Sequence, residues 1–428
     1  MLRSWSQQSK WGGIIAAAGL LFICVATLTP GTPGTDSVAT MCRGWCDDSI
    51  VADFARNIVL FVPMAFGLRL AGVRPLLAIL IGSCLSGTVE LLQIRIIAGR
   101  DASALDWLSN TTGTVAGVLV ADHLATLFRP APRVALRLMA GALLVWTGVL
   151  VLGAWGIQPA PGGFPYFGQR TPRLKQFESF LGELVSARAN GVELPSSLIS
   201  NSDTIRAGLR AGQLRVDALV RPGPRPMTSD IAPIARVADG AEREILMLGR
   251  AGSELVFRFR LRATTLRLET PAFALAHAFQ SGPGIDPESL DSIETLSAGL
   301  RRGRLQLLAR NATGSAARTF ELSPAVAWSF FLPWDYWFGP NFVWISYIWI
   351  AALLVPAGYW AGIAARERGH RWFVIGAAAV VVSSVAFIPA MFTLPPASGW
   401  SFGAAFVGVA AGWVLSILAE RSRAARAP

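Results

Sequence analysis

Long apolar runs fill both ends of the chain, and a stretch of different texture separates them. A helix needs about 20 mostly apolar residues to cross a bilayer. Eight runs meet that length: 11–29, 54–73, 75–96, 107–128, 134–156, 338–363, 371–393 and 399–419. Between the fifth and sixth, residues 157–331 change period. Leu255, Phe257, Phe259 and Leu261 alternate with Arg258, Arg260 and Arg262, the period of two expected of a half-buried strand. Leu214–Val220, Ile245–Leu248, Thr265–Glu269, Leu305–Ala309 and Thr319–Leu322 read as further strands, separated by Gly and Pro clusters such as Arg221-Pro222-Gly223-Pro224. Residues 173–188 read as a helix leading into them. The pattern predicts a polytopic α-helical membrane protein of about eight spans with an antiparallel β-sandwich domain outside the cytoplasm. The predicted domains are 1–156 (five spans), 157–331 (sandwich) and 332–428 (three spans).

Charge placement sets the expected orientation. Arg3 and Lys10, Arg69 and Arg74, Arg129, Arg133 and Arg137, Arg366, Arg368 and Arg371, and Arg421, Arg423 and Arg426 all fall on one side if the eight runs alternate. Basic loops stay cytoplasmic, so both termini are expected inside and residues 157–331 outside, in a bacterial inner membrane. The loop at 30–53, with Asp36, Asp47, Asp48 and Asp53, is then external. Trp328, Trp334, Tyr336, Trp337 and Trp344 crowd the start of the sixth run, as an interfacial aromatic belt would. A mean hydropathy of +0.47 and 15% charged residues exclude an ordinary soluble protein. The net charge of +11 is accounted for by the arginines flanking the runs, so nucleic acid is not an expected partner.

Four cysteines are too few for a disulfide scaffold. Cys24 and Cys84 lie in apolar runs and read as small hydrophobes. Cys42 and Cys46 share a polar loop, where a local disulfide competes with a metal half-site; no histidine lies near to complete the latter. His123, His277 and His370 are scattered without metal-ligand spacing. No metal and no cofactor is expected.

Against this apolar background a few polar groups stand out. Asp53 and Asn57 are four apart, Glu90 and Gln93 three apart, and Asp106, Asn110, Gly113 and Gly117 follow a 4-3-4 spacing, so each set shares one helix face. Such groups are costly in lipid and by default face a bundle interior or a functional cavity. With alternating spans they all gather toward the outer leaflet, and Arg100, in the short connection between the third and fourth runs, is placed to balance a carboxylate. Gly113 and Gly117 permit close helix approach. Interhelical glue and a ligand site for a lipid head group, isoprenoid phosphate or polar antibiotic-like molecule both fit this pattern.

Asp53-x3-Asn57-x3-Phe61-x-Pro63-x3-Gly67, then Glu90-x2-Gln93, then Arg100-x2-Ser103-x2-Asp106-x3-Asn110-x2-Gly113-x3-Gly117 resembles the VanZ-like family over the first third of the chain. That family is named for an association with glycopeptide antibiotic resistance. The run of strands and turns from Leu214 through Asp239-Gly240 to Leu261 resembles the concanavalin A-like, laminin-G-like sandwich, a fold that often binds carbohydrate or protein. The resemblances imply a non-enzymatic cell-envelope protein that contacts membrane lipids and recognises a lipid-linked or surface glycan. Two other classes remain open. One is a membrane enzyme acting on a lipid-linked phosphate, with Glu90 or Asp106 as acid or base. The other is a scaffold binding another envelope protein.

Overall fold

The computed structural model describes residues 2–29, 50–97, 103–174, 177–225, 230–279, 293–312, 314–332, 337–338 and 341–424. Cys42, Cys46 and Arg100 lie outside the described residues, and Cys24 and Cys84 are free. The chain divides into two compact units, residues 1–131 with 267–269, and residues 132–266 with 270–428.

The first unit is helical: α1 (Leu2–Leu28), α2 (Ile50–Leu70), α3 (Pro75–Arg95) and α4 (Ala104–Asp122), with a one-turn helix at Leu124–Phe128. Each start is written locally. Pro75 occupies the first turn of α3, where its missing N–H costs nothing. Ser103 caps α4, its hydroxyl accepting from the Leu105 backbone N–H at 3.1 Å. Small residues let the helices meet backbone to backbone. A Cβ on Gly12 would strike the backbone of Ala71, one on Gly19 that of Met64, and one on Gly67 that of Ala16, so α1 lies directly on α2. Ile23, Phe61 and Met64 fill the space between, with Leu60, Leu68 and Leu85 packed around them.

The second unit holds helices and sheets. Its helices are α5 (Pro132–Gly156), the short α6 (Ser202–Arg210), α7 (Asn341–Ala364), α8 (Arg371–Met391) and α9 (Gly399–Ala424). Its strands are β1 (Tyr166–Arg170), β2 (Glu183–Ala189), β3 (Val192–Glu193), β4 (Gln213–Arg221), β5 (Ala232–Asp239), β6 (Glu244–Ala251), β7 (Glu254–Phe259), β8 (Ala272–Leu275), β9 (Glu294–Arg301), β10 (Arg304–Asn311), β11 (Gly314–Glu321) and β12 (Trp337–Phe338). They form two six-stranded sheets, ordered β1-β5-β6-β7-β8-β12 and β11-β10-β9-β4-β2-β3. Pairing is antiparallel throughout except where β12 joins β8 in parallel. The sheets stack as in a sandwich: the rings of Phe257, Phe259 and Phe273 lie at 5.8 Å spacings on the first, and Phe273 meets Phe320 of β11 edge-on at 5.5 Å.

The chain is tied down where it enters and leaves the sheets. Past α5, Ala160 N–H donates to Arg260 O at 2.9 Å and Arg262 N–H donates to Gln158 O at 2.8 Å, extending the end of β7. The Gln158 side chain also donates to Phe392 O at 3.0 Å, at the end of α8. On the way out, β12 adds to the sheet immediately before α7 begins.

Seven helices among the described residues are long and apolar enough to span a membrane: Ser9–Leu28, Ile50–Leu70, Pro75–Arg95, Pro132–Gly156, Phe342–Ala364, Arg368–Met391 and Gly399–Ser422. The run expected at 107–128 is the exception. It breaks at His123 into α4 and the one-turn helix, and the 19-residue α4 carries Asp106, Ser109, Asn110, Thr111, Thr112 and Thr114, which lower its hydropathy. Two elements expected in the insert are corrected. The helix expected at 173–188 is absent from its described residues: 173–174 and 177–182 are irregular, and 183–188 lie in β2, because Leu184, Ala187 and Ala189 are buried between more exposed neighbours while the strand pairs with β4. Thr265–Glu269, expected as a strand, follows a helical turn at Arg262–Thr265, and Arg267 there takes a left-handed φ of 55°.

Candidate functional site

The site is built at one end of α2, α3 and α4, where α2 and α4 begin and α3 ends. The glycine stripe brings α2 and α4 together. A Cβ on Gly113 would collide with the Ile58 carbonyl, and one on Gly117 would sit 2.5 Å from the Val62 carbonyl, so only glycine allows this approach. Gly82 of α3 likewise leaves room for the Thr114 side chain.

That contact aligns the polar faces. Asn57 Nδ2 donates to Asp106 Oδ1 at 2.8 Å, joining α2 to α4. The Glu90 carboxylate accepts from the Ser103 backbone N–H at 2.8 Å, at the N-terminal end of α4, where an anion is favoured by the unsatisfied N–H groups. Asn110, only 2% exposed, donates to Ser86 Oγ at 3.0 Å, and its side-chain oxygen Oδ1 has no hydrogen-bond partner among the described residues. Gln93 reaches the other way, donating to Thr27 O on α1 at 3.1 Å. Asp53 pairs with Arg56, whose guanidinium also contacts Glu269 at 3.2 Å.

Of the residues singled out from sequence, Asn57 and Asp106 are in direct contact, and Glu90 joins the start of the same helix. Gln93 and Asn110 bond to Thr27 and Ser86 rather than to the two carboxylates. Arg56, which the spacing argument passed over, is the guanidinium held by Asp53. Hydroxyl residues were also missed. Ser83 accepts from Thr111 Oγ1 at 3.3 Å and, through its carbonyl, from Trp107 Nε1 at 3.1 Å, and Ser86 holds Asn110; Ser103, already in the sequence motif, holds Glu90 through its backbone N–H. The signal existed, because Ser83, Ser86, Glu90 and Gln93 form a 3-4-3 stripe on α3.

Chemically the cluster offers carboxylate oxygens and amides on half-buried side chains, a set suited to hydroxyl donors. Among the described residues no group of three or more His, Cys, Asp and Glu is arranged to hold a metal ion.

Residues 13–127 match the VanZ/LLP1 family model, so the N-terminal part of the chain is a VanZ-like domain. No curated protein and no solved structure matches the chain.

Proposed function

We propose that the protein is a cell-envelope protein of the bacterial inner membrane, non-enzymatic, that recognises a lipid-linked or surface glycan through the α2–α4 site, with the sheets outside and both termini in the cytoplasm. One observation carries this reading. Two half-buried carboxylates, Glu90 and Asp106, stand at the shared end of three helices, each oriented by a donor from a neighbouring segment. Carboxylates kept at such a depth are costly and are retained where they meet a polar partner; sugar hydroxyls are donors of the matching kind. The arginines at the cytoplasmic ends of the spans support the orientation. The sheets add a second polar surface, where Ser297 Oγ donates to Asp217 Oδ1 at 2.6 Å and Arg215 pairs with Asp217 at 2.8 Å. The two stacked antiparallel sheets are compatible with the concanavalin A-like, laminin-G-like reading.

The test is native mass spectrometry of the full-length protein in a gentle detergent. A glycan-bearing lipid is expected to co-purify with the wild type and to be lost from Glu90→Gln and Asp106→Asn at unchanged membrane abundance. Equal recovery from all three proteins, or no adduct on the wild type, overturns the reading.

A further inference from the structure

The second unit contains a cavity of about 210 Å³ that takes no part in the α2–α4 site. It lies where β11 meets the first turns of α7 and α9 and is lined by Arg318, Phe320, Phe342, Tyr347, Ser398 and Ser401, among others. One wall is apolar. The polar lining includes a chain of hydroxyls: Tyr347 Oη and Ser398 Oγ are 3.1 Å apart, and Ser398 Oγ and Ser401 Oγ are 3.2 Å apart. Ser398 Oγ also accepts from the Ser401 backbone N–H at 3.3 Å, which fixes its position at the start of α9.

Charge selects the occupant. Arg318 lies over the Phe320 ring, 4.8 Å from its centroid, which holds the guanidinium in place while leaving its edge N–H groups available. Glu321, the carboxylate that lines the same cavity, is paired with Arg304 at 3.3 Å. The lining therefore offers the Arg318 guanidinium together with the Tyr347, Ser398 and Ser401 hydroxyls, the donor set of a phosphate site. Position selects the rest of the molecule. α7 and α9 are spanning helices that both begin at the cavity. Beside it Trp344 and Trp400, 59% and 66% exposed, meet edge-on at 6.0 Å, where interfacial aromatics mark the level of lipid head groups. The volume is below the roughly 300 Å³ at which pockets enclose whole drug-sized ligands. It suits a head group whose chains remain in the bilayer.

We infer that this cavity binds a phosphate group carried at the membrane surface, with Arg318 and the Tyr347, Ser398 and Ser401 hydroxyls as its donors. The phosphate can belong to a lipid head group or to a free phosphate-bearing solute, and the experiment separates the two. Full-length protein in a neutral detergent is titrated with phosphatidylglycerol, diacylglycerol or inorganic phosphate and read by native mass spectrometry. Wild type is expected to retain one phosphatidylglycerol that Arg318→Gln binds about tenfold more weakly, the loss of one charge-assisted hydrogen-bonding group. Arg318→Lys should recover part of that affinity, and Tyr347→Phe should weaken it less than Arg318→Gln. Diacylglycerol should not distinguish wild type from Arg318→Gln. Displacement of phosphatidylglycerol by millimolar inorganic phosphate identifies a free-phosphate site, and resistance to displacement identifies a lipid site. Equal phosphatidylglycerol affinity in wild type, Arg318→Gln and Tyr347→Phe at equal thermal stability overturns the inference. Were Arg318→Gln unfolded, Tyr347→Phe alone decides by the same criterion. Glu90→Gln should leave this binding unchanged, so the outcome is separate from that of the glycan reading.

Discussion

Two helix pairs in this protein use the same packing device with different company. In the first unit, Gly113 and Gly117 of α4 press on the carbonyls of Ile58 and Val62 in α2. In the second, Gly358 of α7 presses on Val409 of α9, while Gly408 and Gly412 of α9 press on Ala351 and Val355 of α7. The first seam carries Asn57, Asp106 and Asn110; beside the second, the corresponding bonds run through hydroxyls, such as Trp328 Nε1 to Ser346 Oγ at 3.1 Å. The second pair carries a carboxylate as well, Glu420 of α9, but it is paired with Arg366 just past the end of α7 at 3.1 Å and lies outside the glycine contacts. A recognition role for Asn57 and Asp106 requires that they add little to packing beyond the glycines.

The comparison breaks most visibly at the glycines. Gly113→Val and Gly412→Val should each cost about 3 kcal/mol through backbone overlap, read as loss of accumulation and a lower thermal midpoint in detergent. Tolerance of Gly113→Val alone would mean that the polar contacts, and not the glycine seam, hold α2 to α4.

A carboxylate with a full set of donors sharpens the contrast. Burial pushes the Asp239 carboxyl upward, but backbone N–H groups of Arg243, Ala241 and Gly163, with the Arg243 guanidinium, outweigh it and hold the group below its ordinary value of 3.8. A depressed native value means stability that is present above the unfolded pKa and lost as pH falls through the native one. Asp239→Asn should cost about 2 kcal/mol at neutral pH, and the difference from wild type should shrink as the medium is acidified below about pH 4. A constant difference across that range would assign the cost to shape rather than charge.

Within the α2–α4 seam, Asn57→Leu removes one donor from Asp106 and should cost about 2 kcal/mol, whereas the double variant Asn57→Leu/Asp106→Leu should recover to within about 1 kcal/mol of wild type. A double variant as unstable as the single one would restore the glue reading. The smallest effect belongs to the second unit. Ser384→Ala removes the acceptor of Trp146 Nε1, 2.9 Å away between α8 and α5, and should cost about 1 kcal/mol.

Much of this was legible because one constraint acted on one face at a time. Lipid demands apolar length, so the helix positions could be read directly. The strands β4 and β10 alternate cleanly between buried and exposed residues, so their period showed. β5 and β8 are buried along their whole length, which erases alternation, and both escaped notice. Ile231, Met247, Val256 and Ala274 on that sheet are covered by Phe177, from the very segment expected to be helical. In the site, the spacing rule placed Asn57 with Asp106, since both lie on faces aligned by Gly113. It could not foresee that Gln93 would turn to Thr27, because the acceptor there is a backbone carbonyl, a group every residue carries and no side-chain spacing marks.

The double attachment of the sheets has a mechanical consequence. A domain hung from a membrane on free linkers swivels, and a pull on it dissipates in the linkers. Here the incoming strand end is bonded at Ala160 and Arg262 and the outgoing chain at β12, so the sheets are clamped between α5 and α7 at both ends. A torque applied to the sheets would therefore reach α5 and α7 as bending, with no free linker to absorb it.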